Sequence, residues 1–308
     1  MTQFLSPGGE RARGGARRPS RMLAGFALAT GLSAASLLIL SATAPAQGSA
    51  QAAFAIGEQA DLRRDYGTAL RRYREAAEQG LAEAQFRVGL MYENGQGVAR
   101  DDGEALRWYR KAAGQAHLKS QSNLARMYSE GRGVPQDYAE ALRWYRKAAD
   151  RGLAEAQFNL GVVYAKGEGV PQEDLEALNW FLKAADQGFA PAQNMLGVMY
   201  HHGQGVRQNY RQAIRWYRAA AEQGSSASQL HLGTLYAKGD GVAQNYESAM
   251  YWWRKAADQG DPAAQYDVGL LYDNGLGMPT RDRTEARRWM EKAAAAGHEG
   301  ARRWLQAN

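Results

Sequence analysis

The sequence predicts an all-α protein, an α-solenoid of antiparallel helix pairs. Three observations carry that prediction. Residues recur with a fixed step of 36: Tyr92, Tyr128, Tyr164, Tyr200, Tyr236 and Tyr272, with Gln85, Gln121, Gln157, Gln193, Gln229 and Gln265 in the same register. A fixed period of this length marks a repeat architecture in which each unit buries its apolar face against the next. Within each unit, small and apolar residues fall on one helical face, first Ala84, Val88, Met91 and Tyr92, then Ala105, Trp108, Tyr109 and Ala112. Sustained two-residue alternation, the signature of a half-buried strand, is missing.

The leader comes first and differs from the rest. Arg11, Arg13, Arg17, Arg18 and Arg21 precede an uncharged stretch, Met22 to Ala46, that ends in Ala44-Pro45-Ala46. A basic head, an apolar run and a small-residue site have the anatomy of an export signal, which predicts a periplasmic or secreted chain. Retention of the signal would instead leave an inner-membrane anchor over residues 22–43, and only then would the chain touch a membrane. The full chain carries 38 basic and 32 acidic residues, net +6. Five of those arginines and one acid, Glu10, belong to the leader, so the remainder has 33 basic against 31 acidic residues. That balance lacks the basic excess of a nucleic-acid binder. The absence of cysteine excludes disulfides, thiol catalysis and thiolate metal sites.

Residues 47–80 read as a shorter hairpin, with Asp65 capping its second helix and Ala69, Tyr73 and Ala76 at core positions. Six repeats of about 36 residues then fill 81–297, and a closing helix occupies 298–308. In each repeat the first helix ends at a Gly-x-Gly pair: Gly95/Gly97, Gly131/Gly133, Gly167/Gly169, Gly203/Gly205, Gly239/Gly241 and Gly275/Gly277. Glycine just past a helix end accepts the left-handed conformation that closes it. The second helix starts at Asp101, Asp137, Asn209, Asn245 or Asp282, with Glu104, Glu140, Gln212 and Glu285 placed to complete a capping box. The unit containing Glu173 departs from this pattern and is expected to start at Asp174. Gly89, Gly161, Gly197, Gly233 and Gly269, with Ala125 as the exception, stand midway along the first helices. Glycine costs about 1 kcal/mol there relative to alanine, which implies close approach of the aromatic-bearing partner helix. Trp108, Trp144, Trp180, Trp216 and Trp252 keep the period; Trp289 arrives one residue late, which places a single insertion near 278–283.

The stretches AEAQFNLGVVYAKGEGV (154–170) and DYAEALRWYRKAADRG (137–152) carry the motif of the Sel-one-like repeat, which this chain resembles over residues 81 to about 300. The opening hairpin resembles a plain tetratricopeptide unit. The resemblance implies a right-handed superhelix with a concave protein-binding face. It also implies a non-enzymatic scaffold or adaptor of the cell envelope, with another envelope protein or peptide as partner. A scaffold for peptidoglycan or exopolysaccharide machinery is the alternative. A β-lactam-binding hydrolase ranks last, because the members tied to that activity pair cysteines in every repeat.

By the same resemblance, the fifth and ninth positions of each first helix face the groove. The candidate partner-binding residues are Phe86, Leu90, Arg126, Phe158, Val162, Asn194, Val198, Leu230, Tyr266 and Leu270. Packing between adjacent hairpins is the competing role for the apolar ones. His201-His202 occupies a slot filled elsewhere by pairs as different as Glu93-Asn94 and Ala165-Lys166, and reads as the solvated end of a helix. No metal site is expected from it. The recurring glutamine is expected to tie one helix to a neighbouring carbonyl. Arg107, Arg110, Arg143, Arg146, Arg215, Arg218 and Arg254 form a ridge off the core face, read as solvated and locally paired. No catalytic or cofactor-binding motif is present, so no catalytic residue and no cofactor is implied.

Overall fold

The structure, a computed structural model, describes residues 34–277 and 280–308, with side chains from Gly48 onward. The chain divides into two compact units, Met1–Pro45 and Ala46–Asn308; the fold described here is that of the second. The expected export signal of residues 1–46, and the alternative anchor over 22–43, lie outside the described residues except for helical backbone from Ala34. Among the described residues, no helix is long and apolar enough to cross a membrane.

Every described element is a helix. The opening hairpin comprises α1 (Ala34–Leu62) and α2 (Tyr66–Glu78). Six pairs follow: α3 (Ala82–Asn94) with α4 (Asp102–Gly114), α5 (Leu118–Glu130) with α6 (Tyr138–Asp150), and α7 (Ala154–Lys166) with α8 (Asp174–Asp186). The array continues through α9 (Ala190–His202) with α10 (Tyr210–Glu222), α11 (Ser226–Lys238) with α12 (Tyr246–Asp258), and α13 (Pro262–Asn274) with α14 (Arg283–Ala295). It closes with α15 (Glu299–Ala307). From α2 onward, packing runs from each helix to the next in the chain, as a solenoid of antiparallel helix pairs requires.

Each helix ends where its backbone groups find partners. Gly95, Gly131, Gly167, Gly203, Gly239 and Gly275 adopt the left-handed conformation at the ends of the first helices. At the other end of the loop, Asp101, Asp137, Asn209 and Asn245 accept from the backbone three residues on, and Asp282 does so from Thr284 and Glu285. The reciprocal half of the capping box is replaced by a tertiary bond. The N–H of Asp101, Asp137, Glu173, Asn209, Asn245 and Asp282 donates at 2.8–3.0 Å to the carbonyl of the recurring tyrosine, Tyr92 through Tyr272. That bond explains why α8 begins at Asp174 although Glu173 supplies no side-chain cap. The first helices have caps the sequence reading missed: His117, Ser225, Asp261 and His298 each accept from a backbone N–H three residues on.

The mid-helix glycines are where two helices touch. A Cβ on Gly89 would lie 2.6 Å from the Tyr109 ring, and one on Gly161 would lie 2.7 Å from Phe181. Gly57 in α1 meets Tyr73 in the same way. The ring involved is that of Tyr109, Phe181, Tyr217 or Trp253, one residue beyond the recurring tryptophan.

The recurring glutamine ties each repeat to the one before it. Its Nε2 donates to the carbonyl of Ala77, Ala113, Ala149, Ala185, Ala221 or Ala257, at 3.0–3.3 Å, in the last turn of the preceding second helix. In four repeats its Oε1 accepts from a second glutamine, Gln115, Gln187, Gln223 or Gln259. The corresponding positions for Gln121 and Gln265 hold Arg151 and Ala296, and there the buried Oε1 has no protein partner. A buried polar atom costs free energy when unpaired, so the joints are not equally strong.

Candidate functional site

The face presented by the first helices is the candidate site, and its positions divide into two kinds. Fifth-position residues reach forward to the next repeat. Phe86 is only 6 % exposed, with its ring centroid 6.0 Å from Tyr109 and 4.9 Å from His117. Phe158 lies 5.6 Å from Phe181 and 5.5 Å from Phe189. Tyr266 stacks on His298 at 4.4 Å, and the Asn194 Oδ1 accepts from the Ser228 hydroxyl at 2.7 Å. Leu230 is half-buried, and its carbonyl accepts from the indole of Trp253. The Phe86, Phe158, Asn194 and Tyr266 side chains therefore hold adjacent repeats together, whatever else they do.

Ninth-position residues are placed differently. Leu90, Val162, Val198 and Leu270 are half-buried along α3, α7, α9 and α13. Arg126 is engaged, donating to Glu93 at 2.6 Å and to Glu130 at 3.4 Å. Phe158, Asn194, Met195 and Ser225 line one cleft between adjacent repeats, so two of the ten candidates share a concavity.

Of the slot read as a solvated helix end, the second residue is exposed, as at Asn94 and His202, but the first is not. Its first residue turns inward. Glu93 is 8 % exposed and accepts from the Tyr109 hydroxyl at 2.7 Å and from Arg126 and Arg132 at 2.6 and 2.8 Å. Arg132 also holds Asp102 at 2.7 Å, so one network spans two repeats. Burial pushes the Glu93 carboxyl up, but the hydrogen bonds from Arg126 and Tyr109 outweigh it and hold its pKa below the ordinary range. Asp273 occupies the same slot near the C-terminal end, where Arg281 pairs with it and the Trp304 indole donates to it at 3.0 Å. His201 fills the slot in α9. Its ring lies 4.5 Å from that of His202, and its edge meets Tyr210 and Tyr217. The only sequence signal for an inward-facing slot was its register, one helical turn beyond the mid-helix glycine.

Asp267 in α13 is a further residue the sequence reading passed over. It is half-buried without a hydrogen-bond or ion-pair partner among the described residues. Burial, with a smaller contribution from Asp261, raises its carboxyl to about 6. Among the described residues no three histidine, aspartate or glutamate side chains come together as a metal site.

The arginine ridge is built into the array. Arg110 donates to the hydroxyl of Tyr128 at 2.7 Å and Arg218 to that of Tyr236 at 2.5 Å; Arg146 and Tyr164 pair in the same way. Arg107 and Arg143 pair with Glu104 and Glu140 at 3.1 Å. Each recurring tyrosine thus receives an N-cap N–H on its carbonyl, and several receive an arginine of the preceding repeat on their hydroxyl.

Comparison with known proteins places this geometry. The Sel1 repeat model matches seven successive segments: 50–81, 82–117, 118–153, 154–189, 190–225, 226–261 and 262–298. The first falls on the opening hairpin, which has no Gly-x-Gly loop. Comparison with curated proteins gives no match. Among solved structures, the chain is similar to a protective antigen of uropathogenic Escherichia coli that displays an SLR fold, with 35 % identity and a TM-score of 0.72 over 85 % of this chain. The match spans 57 % of that antigen's length. It is also similar to a Sel1 repeat protein from Oxalobacter formigenes, with 34 % identity and a TM-score of 0.73 over 78 % of this chain and 98 % of that one. With these matches covering nearly all of the described array, the chain belongs to the Sel1 repeat family.

Proposed function

We propose that this chain is an exported, non-enzymatic adaptor that binds a peptide segment of another envelope protein along the face of its first helices. Sel1 repeats form a fold typically used for protein–protein interaction. One observation carries the finer reading. The residues that build the joints, the tyrosine, glutamine and glycine rows, repeat through the array, whereas the ninth positions change from Leu90 to Arg126, Val162, Val198, Thr234 and Leu270. Positions that vary while the joint residues repeat are where a repeat scaffold encodes its partner, and a half-exposed, mixed apolar row suits an extended or helical segment.

Val162→Glu and Val198→Glu test this reading. Phe86→Glu does not, because it would bury a carboxylate against Tyr109. Both valine variants are expected to keep the helical circular dichroism of the parent and to lose crosslinking capture of the partner by about tenfold or more, as central contacts do when charged. Arg107→Ala and Arg143→Ala, which remove only exposed ion pairs, are expected to retain capture. Loss in the arginine variants with retention in the valine variants would move the site to the ridge. Export has its own test: alkaline phosphatase fused after residue 60 is expected to be active, and an inactive fusion that is stably produced would overturn a periplasmic location.

A further inference from the structure

The joint formed by α9, α10 and α11 differs in chemistry from the others. Where the first repeat puts Glu93 against the Tyr109 hydroxyl, this one puts His201 against Tyr217. Tyr217 is fully buried, and among the described residues its hydroxyl has no hydrogen-bond partner; neither has the buried Nδ1 of His201. The other face of the Tyr217 ring carries His231 of α11, with centroids 4.9 Å apart and planes 28° from parallel. His201 in turn lies flat on His202, with planes 10° apart. Three imidazoles and one tyrosine thus meet at a contact that elsewhere is made by a carboxylate–arginine network, by serine or by alanine.

We propose that this joint is a proton-operated loosening point in the solenoid, closed while His201 and His231 are neutral and opened when they are protonated. A proton on His201 creates a half-buried cation whose buried Nδ1 has no carboxylate bonded to it among the described residues. It also sets that cation against the stacked ring of His202 and near Lys238 of α11; Asp240, in the loop after α11, is the one acid opposing this. A proton on His231 meets His201 and His202 across the joint, and Tyr217 beneath it is a neutral ring; Asp261 at the start of α13 is the opposing acid. Burial is the largest influence on both rings, and it lowers both pKa values below the ordinary 6.5. The unfolded chain therefore takes up these protons first as pH falls. The stability the two rings contribute is intact above about 6.5 and is lost as the pH drops toward their folded values. Because stability in a solenoid is a sum of repeat and nearest-neighbour terms, one weakened joint opens locally while distant repeats stay closed. Asp267 in the following repeat works in the opposite direction: its carboxyl, held up to about 6, is relieved by the same protons. A global melting temperature would therefore blur the effect, and a segment-resolved measurement is needed.

Hydrogen exchange on the full chain, corrected for intrinsic rates, is the test. Between pH 7.5 and 5.5, amides of α9–α11 are expected to lose several-fold more protection than those of α3–α4 and α7–α8. In the His201→Gln/His231→Gln double variant that difference should vanish. A uniform response along the unmodified chain, or a local response that survives in the double variant, overturns the proposal. Imidazole NMR titration of the unmodified chain gives a reading that does not depend on the variant folding. His201 and His231 should both titrate below an ordinary histidine, and titration of both at the ordinary value refutes the mechanism.

Discussion

Gly133→Ala is expected to destabilise the joint between the second and third hairpins by more than about 3 kcal/mol, the range reached when backbone strain and an immovable clash coincide. Gly133 has φ +67°, and a Cβ there would lie 2.6 Å from the carbonyl carbon of Asp102 in the first turn of α4. Neither group can yield, because that carbonyl belongs to a helix start and the glycine to a closed loop. Two other glycines calibrate the effect. Gly152 has φ +89° with no atom within 4 Å of its would-be Cβ, so Gly152→Ala should cost only the left-handed strain, about 1–2 kcal/mol. Gly131, at φ +69°, would bring its Cβ 3.3 Å from Gln136, a contact a small loop shift relieves, so it should fall between them. Urea midpoints with hydrogen exchange over α4–α6 measure the series. Equal losses at Gly133 and Gly152 would show that the loop does not pack tightly on the preceding repeat.

Glu93→Ala is the second large effect, expected at about 3 kcal/mol, because the buried Tyr109 hydroxyl loses its acceptor and Arg126 and Arg132, which keep Glu130 and Asp102, lose their buried partner. Arg126, Arg132 and the Tyr109 hydroxyl would all lose an acceptor within 2.8 Å. Tyr109→Phe should cost less, about 1.5–3 kcal/mol for one hydrogen bond to a charged group. The double variant should fall short of the sum, since both changes break the same contact. Glu130→Ala, at a carboxylate 45 % exposed, should stay within about 1 kcal/mol. The pH dependence follows from a pKa held below its unfolded value: the contribution is complete above about 4.5 and is lost as the pH falls through the folded value. Acid unfolding that starts no earlier in Glu93→Gln than in the parent would leave the network without a stabilising role.

Much of this was legible from the residues alone. A 36-residue step in tyrosine, glutamine and glycine can arise only from a repeated structural need, so the solenoid, its hairpins and the glutamine tie could be read before any coordinate. The first glycine of each Gly-x-Gly pair was equally readable, because closing a helix is a local requirement. The second was not: Gly133 is glycine because the preceding repeat's α4 lies against it. The inward turn of Glu93 and His201 was hidden for a related reason. A slot that changes from glutamate to alanine to histidine looks solvated until the facing ring is seen, and each joint satisfies that ring in its own way. Phe86 shows the reverse case: groove contact and packing between hairpins were both open to it, and its ring packs on Tyr109 and His117.

The sequence by itself therefore determined the architecture: the helices, their order, the caps of the second helices and the rows that repeat, because these depend on interactions local to the chain or recurring with its period. Only the tertiary structure decided which variable residues face a neighbouring repeat and which stay half-exposed along the first helices. That choice depends on contacts made about 30 residues away, where the chain meets itself one repeat later.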